Sequence, residues 1–162
     1  MAPYRVCFVC LGNICRSPMA ESIFRRRLEE AGLDGAVEVD SAGTGPWHVG
    51  ERADLRAAAA LRRRGYETDH VAWQFRRRSF ADWDLVVALD RGHLAELGEL
   101  APDAAAAARV RLLRSFDPAG ADGEPDVPDP YYGREQGFDR CLDLIEPACA
   151  GLLDVVRQAA GR

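Results

Sequence analysis

The segment from residue 6 to residue 17 constrains the fold more than any other part of the sequence. The apolar run VCFV at 6–9 predicts a buried strand, and an amphipathic helix is predicted from about 17 to 31. The turn between them carries Cys10 and Arg16. Backbone N–H groups of such a turn surround a concavity, and the helix N-terminus adds positive potential. We therefore expect an anion site here. A phosphate would lie above the Cys10 sulfur, and the Arg16 guanidinium would donate hydrogen bonds to its oxygens.

Predicted strands and helices alternate along the rest of the chain. Strands are predicted at 4–10, 37–41 (a half-exposed edge), 84–90 and 110–113, and helices at 17–31, 54–64 and 91–100. A last helix is predicted after residue 133, with a kink or break at Pro147. Alternation of this kind is typical of an α/β fold with a mostly parallel sheet. Ligands of such sheets bind at the carboxyl ends of the strands, where the Cys10 turn is expected.

Bulk properties favour one globular domain over residues 1–162. Hydrophobic content is 48%, and no apolar run approaches the ~20 residues that span a bilayer. With no signal-peptide pattern, we expect a cytoplasmic protein without a membrane association. The net charge of −5 argues against nucleic-acid binding. The five cysteines do not suggest a disulfide framework, and Cys10 and Cys15 lack further zinc ligands nearby, so no metal or other cofactor is expected.

The turn at Cys10 has the residues needed for nucleophilic catalysis. A thiolate is the reactive form of cysteine, and both the helix N-terminus and Arg16 would stabilise it. Gly12 would let the backbone approach the anion, and Asn13 tolerates a positive φ. The Ser17 hydroxyl could donate to the Cys10 sulfur, although Ser17 could also cap the helix. Cleavage of a phosphate ester further requires a general acid for the leaving oxygen.

A proline-rich loop at 115–133 supplies the candidates for that acid. Its carboxylates are Asp117, Asp122, Asp126 and Asp129. Asp129 is favoured because Pro128 and Pro130 flank it and two tyrosines follow at 131–132. An acid between aromatic walls suits an aryl phosphate.

Several motifs resemble one known family. The sequence CLGNICRS at 10–17, followed by a helix, resembles the signature of the low-molecular-weight protein tyrosine phosphatases. DPYYG at 129–133 resembles their general-acid loop, and the segments 40–44 and 84–90 also look like family segments. The resemblance covers essentially the whole chain. It implies a three-layer α/β fold, with a four-stranded parallel sheet flanked by helices on both faces and a phosphate loop after strand one, and no metal.

The resemblance also implies roles for individual residues. Cys10 would be the nucleophile, Arg16 would bind the phosphoryl group, and Asp129 would act as general acid and then base. Substrate binding would involve Leu11, Gly12, Asn13, Ile14, Cys15, Ser17, Trp47, Tyr131 and Tyr132, with Ser41 and His70 as supporting residues. Substrates would be tyrosine-phosphorylated proteins, since relatives acting on phosphoarginine tend to carry threonine in place of Ile14. The protein is expected to be a monomer, with a weak dimer as the alternative.

The sequence is also compatible with other functions. An arsenate reductase can share the fold and the loop, but such relatives carry further cysteines in a segment matching 80–95, where this chain has none. A non-enzymatic phosphate-binding or redox-sensing module would need no general acid, so Asp129 discriminates against it. Cys15 is either a redox partner of Cys10 or a packing residue. His48 and His93 are expected at the surface.

Overall fold

Four parallel strands form the single sheet in the part of the chain that is described. They are β1 (Tyr4–Cys10), β2 (Val37–Gly43), β3 (Leu85–Ala88) and β4 (Val110–Leu112), in the spatial order β2-β1-β3-β4. The structure is a computed structural model that describes residues 2–119 and 123–161. The prediction of a four-stranded parallel sheet is confirmed, as is the position of β2 at its edge.

Helices connect the strands and follow the last one. They are α1 (Arg16–Glu30), α2 (Leu55–Arg63), α3 (Arg91–Leu100), α4 (Ala104–Ala107) and α5 (Glu135–Ala159). Two short 3₁₀ helices lie at Arg77–Asp82 and Leu113–Phe116. Among the described residues, no helix combines the length and the apolar composition that crossing a membrane requires.

Alternating side chains of β1 contribute to two separate cores. Val6 and Phe8 pack on one face of the sheet with buried residues of α1, α2 and α5. Cys7 and Val9 pack on the other face with Leu97 of α3 and Ala106 of α4. Because β1 is covered on both faces, its residues 6–10 are all buried, which explains their continuous apolar character. Helices on both faces of the sheet confirm the predicted three layers.

The structure differs from the sequence prediction in several element boundaries. Helix α2 begins at Leu55, with the Asp54 carboxylate capping it by accepting from the Arg56 N–H. The region around residue 70, for which no helix or strand was predicted, contains isolated bridges before the first 3₁₀ helix. They pair Val71 with Arg52 and Gln74 with Gly43. Helix α4 was not predicted because a run of alanines has no apolar periodicity.

Helix α5 continues through Pro147, so the predicted break at this residue is wrong. A proline removes one backbone hydrogen bond from the helix interior. Apolar side chains on both sides of it, including Ile145 and Cys149, are completely buried in the core that α5 shares with α1 and α2. This packing stabilises one continuous helix despite the lost bond.

The topology brings two distant segments to the carboxyl end of β1. The chain leaves β1 toward β2 on one side, while β3 pairs with β1 on the other, which makes this end a topological switch point. The Leu89 N–H after β3 donates to the Val9 carbonyl, and the Val127 N–H donates to the Leu89 carbonyl. The proline-rich loop is therefore attached beside the Cys10 turn.

Candidate active site

A cavity of about 390 Å³ opens at the carboxyl end of β1. Its walls come from the turn after β1, the loop after β2 and the loop before α5. The lining residues are Cys10, Leu11, Gly12, Ile14, Cys15, Arg16, Trp47, His48, Asp129, Tyr131 and Tyr132. The cavity thus brings together a thiol, a guanidinium and a carboxylate that are far apart in the sequence.

The Cys10 sulfur lies at the bottom of the turn and has two hydrogen-bond partners. It is 2.9 Å from the Ser17 Oγ and accepts from the Asn13 N–H at 3.3 Å. The residue is only 2% exposed. The suggestion that Ser17 caps α1 is wrong, because α1 begins at Arg16 and no side chain caps it. The Ser17 hydroxyl is directed to the sulfur instead.

Backbone N–H groups of the turn remain available to a ligand. Among residues 2–119 and 123–161, the N–H groups of Gly12, Ile14, Cys15 and Arg16 form no hydrogen bond with a backbone carbonyl. These four residues also line the cavity. A buried N–H without a partner is costly, and an anion with several oxygens would satisfy this set.

Asn13 holds the turn in its shape. Its φ of 60° is the only positive value at a non-glycine residue in the described chain. The side-chain amide donates to the Ser17 Oγ at 2.9 Å and to the Ser41 Oγ at 3.0 Å. The amide oxygen accepts from the Trp73 N–H at 3.1 Å and from the His70 Nε2 at 2.7 Å. Four hydrogen bonds therefore fix a backbone conformation that is unfavourable for most residues.

A second layer of polar contacts lies behind Asn13. The Ser41 hydroxyl donates to Glu21 Oε1 at 2.7 Å, and His70 Nδ1 is 3.1 Å from the same oxygen and 3.4 Å from Asp40 Oδ1. Burial acts to raise the pKa of Glu21, but the contacts with His70, Arg25 and Ser41 outweigh it and lower this pKa. The group of Glu21, Asp40 and His70 resembles a metal-ligand cluster, but its atoms are engaged with one another. Ser41 and His70 thus both contact the Asn13 side chain and Glu21.

Arg16 connects the turn to two other parts of the site. Its Nη1 donates to Asp90 Oδ2 at 2.7 Å and to the Val127 carbonyl at 3.0 Å, and its Nη2 is 3.9 Å from Asp129 Oδ2. Burial acts to raise the pKa of Asp90, but hydrogen bonds from His93 N–H and Arg16 hold it below its ordinary value. Asp90 was not predicted as a site residue. Its position directly after an apolar strand was the signal available in the sequence.

Asp129 is the carboxylate of the proline-rich loop that reaches the cavity. Its side chain is 43% exposed, and its Oδ1 accepts from the Tyr131 N–H at 3.0 Å. Asp117 is buried in an ion pair with Arg114, and Asp126 pairs with Arg91. Asp122 lies outside the described residues.

Aromatic rings form the outer walls of the cavity. The Tyr131 and Tyr132 rings meet edge to face, with centroids 4.9 Å apart. Trp47 is 69% exposed and lies against Gly45, where an added Cβ would be 1.6 Å from the Trp47 Cζ3. Glycine is therefore required at this position for the ring to lie where it does.

Comparisons with known proteins agree with this geometry. A family model described as low molecular weight phosphotyrosine protein phosphatase matches residues 5–161. The chain belongs to this family. It is 61% identical over 160 residues to a low molecular weight protein-tyrosine-phosphatase of Streptomyces coelicolor, covering 98% of each chain. It is 52% identical over 160 residues to low molecular weight protein-tyrosine phosphatase A of Mycobacterium tuberculosis, covering 99% of this chain and 96% of that protein.

A solved structure extends the family match to three dimensions. The protein tyrosine phosphatase of Entamoeba histolytica, crystallised with Hepes in its active site, superimposes with a TM-score of 0.91 at 33% identity. The match covers 96% of this chain and 98% of that chain. The α/β fold of the family is therefore that of this protein.

His48 forms part of the cavity wall, although a surface position was predicted for it. Its side chain is 28% exposed and lines the cavity, with Nδ1 2.9 Å from Glu51 Oε2 and its ring 6.2 Å from that of Tyr131. A Cβ at Gly12 would come within 2.9 Å of the His48 Cδ2. Gly12 has no positive φ, so its use here is to leave room for the imidazole. The only feature of the sequence that could have indicated a role for His48 in the site is its position next to Trp47.

The prediction that His93 lies at the surface is wrong. Its side chain is buried below Asp90, with Nδ1 3.1 Å from Asp90 Oδ1. Burial lowers the pKa of His93 to about 4, and nearby Arg16 acts in the same direction against the opposing effect of Asp90. The imidazole is therefore neutral at physiological pH.

Two further cysteines of the phosphatase lie close to its site. Cys15 is 5% exposed and lines the cavity, and burial raises the pKa of its thiol. Cys141 is fully buried, and its thiol donates to the Pro128 carbonyl at 3.1 Å. The loop that carries Asp129 is thus held from below by α5.

Proposed function

We propose that this protein hydrolyses phosphotyrosine in proteins, and small aryl phosphates, through a covalent phosphocysteine on Cys10. One observation carries the proposal: Cys10, Arg16 and Asp129 line the same cavity although they come from opposite ends of the chain. A nucleophile, an anion-binding guanidinium and a carboxylic acid are together sufficient for a two-step transfer of the phosphoryl group.

Binding of the phosphate dianion uses groups that the turn already presents. The free N–H groups at 12 and 14–16 would donate to the phosphoryl oxygens, and Arg16 would donate from its Nη2. Its Nη1 stays bound to Asp90 and Val127, which fixes the plane of the guanidinium. Prepositioned donors need little reorganisation as negative charge redistributes in the transition state.

In the first step the Cys10 thiolate attacks phosphorus. The bond between phosphorus and the tyrosine oxygen breaks, and Asp129 gives its proton to that oxygen, so that neutral tyrosine leaves. Asp129 is suited to this exchange because one of its oxygens is held by the Tyr131 N–H while the side chain remains partly exposed. The products are phosphocysteine and the Asp129 carboxylate.

In the second step a water molecule attacks the phosphocysteine. The Asp129 carboxylate takes a proton from this water, and the bond between sulfur and phosphorus breaks to release inorganic phosphate. The Ser17 hydroxyl, 2.9 Å from the sulfur, would stabilise the departing thiolate by donating a hydrogen bond. The enzyme returns to its starting state without a cofactor.

Substitution of Cys10 tests the nucleophile. Cys10→Ser is expected to abolish turnover of para-nitrophenyl phosphate while phosphate still raises the melting temperature, because the N–H groups and Arg16 remain. Addition of a chelator to the unmodified protein should leave the rate unchanged, because donors of the protein supply the positive charge. Residual turnover by Cys10→Ser, or loss of activity with chelator, would contradict the mechanism.

The dependence of the rate on the leaving group tests the general acid. Asp129→Ala should slow the first step by roughly 10²–10⁴-fold for phenyl phosphate and much less for activated aryl phosphates. Asp126→Ala is the matched control, because Asp126 lies on the same loop but pairs with Arg91. Equal losses for good and poor leaving groups would show that Asp129 is not the acid.

The alternatives raised by the sequence receive no support from the site. An arsenate reductase needs accessible thiols to pass electrons, but Cys141 and Cys149 are completely buried. Burial raises the pKa of both thiols, that of Cys141 to about 12. A phosphate-binding module would have no use for Asp129 at the cavity, so the Asp129→Ala experiment also tests that alternative.

A further inference from the structure

Three exposed large apolar side chains lie together at the catalytic cavity. Among the described residues, the exposed large apolar side chains are Leu11, Trp47, Val49, Leu55, Val71, Tyr132 and Val155. Leu11, Trp47 and Tyr132 line the cavity itself. Scattered single apolar residues are normal on a surface, whereas a cluster beside a site indicates a binding surface.

Val49 and Leu55 lie next to residues of the cavity wall. Val49 follows His48, and Leu55 lies between two residues that contact the wall. One is Asp54, whose N–H donates to the Ile14 carbonyl, and the other is Arg56, whose guanidinium lies over the Tyr131 ring. Val49 and Leu55 are 55% and 82% exposed. We call Leu11, Trp47, Val49, Leu55 and Tyr132 the apolar rim.

Charged side chains beside the apolar rim are engaged with each other. Arg56 forms an ion pair with Asp54 at 3.0 Å, and Glu51 is 2.9 Å from His48 Nδ1. Arg56 also donates to the Tyr131 carbonyl at 2.9 Å. The charges of Arg56 and Glu51 are therefore partly neutralised by their partners, and the side chains of the rim itself are apolar.

We infer that the apolar rim binds apolar side chains on either side of the phosphotyrosine in an extended polypeptide substrate. This inference rests on the proposed function, because a phosphotyrosine that reaches Cys10 must bring its own chain across the rim. The partner of the rim is therefore the same polypeptide whose phosphotyrosine enters the cavity. Aromatic and aliphatic contacts of this kind select partners by burial of apolar area.

The alternation of side chains in an extended peptide indicates which substrate positions make the contact. Residues two before and two after the phosphotyrosine point to the same side as its ring, and their Cα atoms are about 6.6 Å from its Cα. The side chains at these positions, −2 and +2, are therefore directed toward the protein surface around the cavity.

Matched phosphopeptides test the inference. Three peptides would differ only at −2 and +2, which carry leucine, serine or aspartate, and kcat/KM would be measured for each with para-nitrophenyl phosphate as reference. We expect the leucine peptide to exceed the serine peptide by roughly fivefold or more, from partial burial of two side chains. The aspartate peptide should be the poorest of the three.

Substitutions on the rim test where the selectivity arises. Val49→Ser and Leu55→Ser should each reduce the ratio of leucine-peptide to serine-peptide kcat/KM by about twofold or more. Val155→Ser is the control, because Val155 is 42% exposed but lies far from the cavity. It lies on α5, about 30 Å along the helix axis from the first residue of that helix. Its ratio should equal that of the unmodified protein.

The outcomes separate failure of this inference from failure of the proposed function. Equal kcat/KM for all three peptides, with para-nitrophenyl phosphate hydrolysed normally, would overturn the inference alone. Absence of Cys10-dependent hydrolysis of any of these substrates would overturn the proposed function. If the rim instead binds a second copy of the chain, sedimentation would show a dimer that Leu55→Ser dissociates. Such a dimer, together with equal kcat/KM for the three peptides, would also overturn the inference.

Discussion

Substitution of Asn13 by alanine should destabilise the protein far more than an ordinary change in a loop. The side chain makes hydrogen bonds to Ser17, Ser41, His70 and the Trp73 N–H. Each is worth about 1 kcal/mol. An alanine at a φ of 60° costs roughly another 1 kcal/mol. We therefore expect Asn13→Ala to lower the free energy of unfolding by about 5 kcal/mol. A loss of this size equals the total free energy of unfolding of the least stable natural domains.

Urea denaturation of Asn13→Ala and Asn13→Gly would separate the two contributions. Glycine also removes the hydrogen bonds but adopts a positive φ without strain, so Asn13→Gly should be about 1 kcal/mol more stable than Asn13→Ala. Both variants should lose protection by inorganic phosphate, because the N–H groups of the turn are no longer held in place. A loss below about 2 kcal/mol for Asn13→Ala, or equal stability of the two variants, would refute the reasoning.

Three further predictions follow from buried groups. The pKa of His93 is about 4 in the folded protein and about 6.5 in the unfolded chain. Between these pH values the unfolded chain binds more protons than the folded protein, so the free energy of unfolding decreases as the pH falls. Urea denaturation should show about 2.5 kcal/mol lost from this source between pH 7 and pH 4.5, and His93→Asn should remove that part. A Cβ at Gly151 would lie 1.7 Å from a carbonyl oxygen of the 113–116 helix, so Gly151→Ala should lower the melting temperature and cost about 3 kcal/mol, whereas Gly98→Ala, with open space around it, should be neutral or stabilising. If Cys15 forms a reversible disulfide with the nucleophile, Cys15→Ser should reduce the activity that a thiol restores after peroxide treatment, and unaltered recovery would refute the redox role.

Most of the fold follows from local patterns in the sequence. The strand ending at Cys10 and the helix over 91–100 were predicted with the observed bounds, because each has uninterrupted apolar character or periodicity and a clear start and stop. Of the kink or break predicted at Pro147, the break is excluded, since the side chains that stabilise the continuous helix are packed against residues distant in the sequence. Tertiary packing overrides a local preference at that position.

The candidate site was predictable only where it has local motifs. Cys10, Arg16 and Asp129 lie in characteristic segments, and the structure brings them into one cavity. The support for Arg16 comes from Asp90 and the Val127 carbonyl, which are separated from it by 74 and 111 residues. No periodicity or motif reveals a hydrogen bond to a backbone carbonyl, and the burial of His93 depends on the same distant contacts. Such partners become visible only in three dimensions.

The contact between Arg16 and the Val127 carbonyl also bears on when the site is assembled during synthesis. A ribosome that has completed the first 118 residues has already made the phosphate-binding turn and all four strands. The guanidinium still lacks the Val127 acceptor, and α5, which packs against α1 and holds Pro128, is not yet available. The nascent chain at this length therefore contains the proposed nucleophile without the proposed acid, and the site is complete only after the segment through α5 has been synthesised.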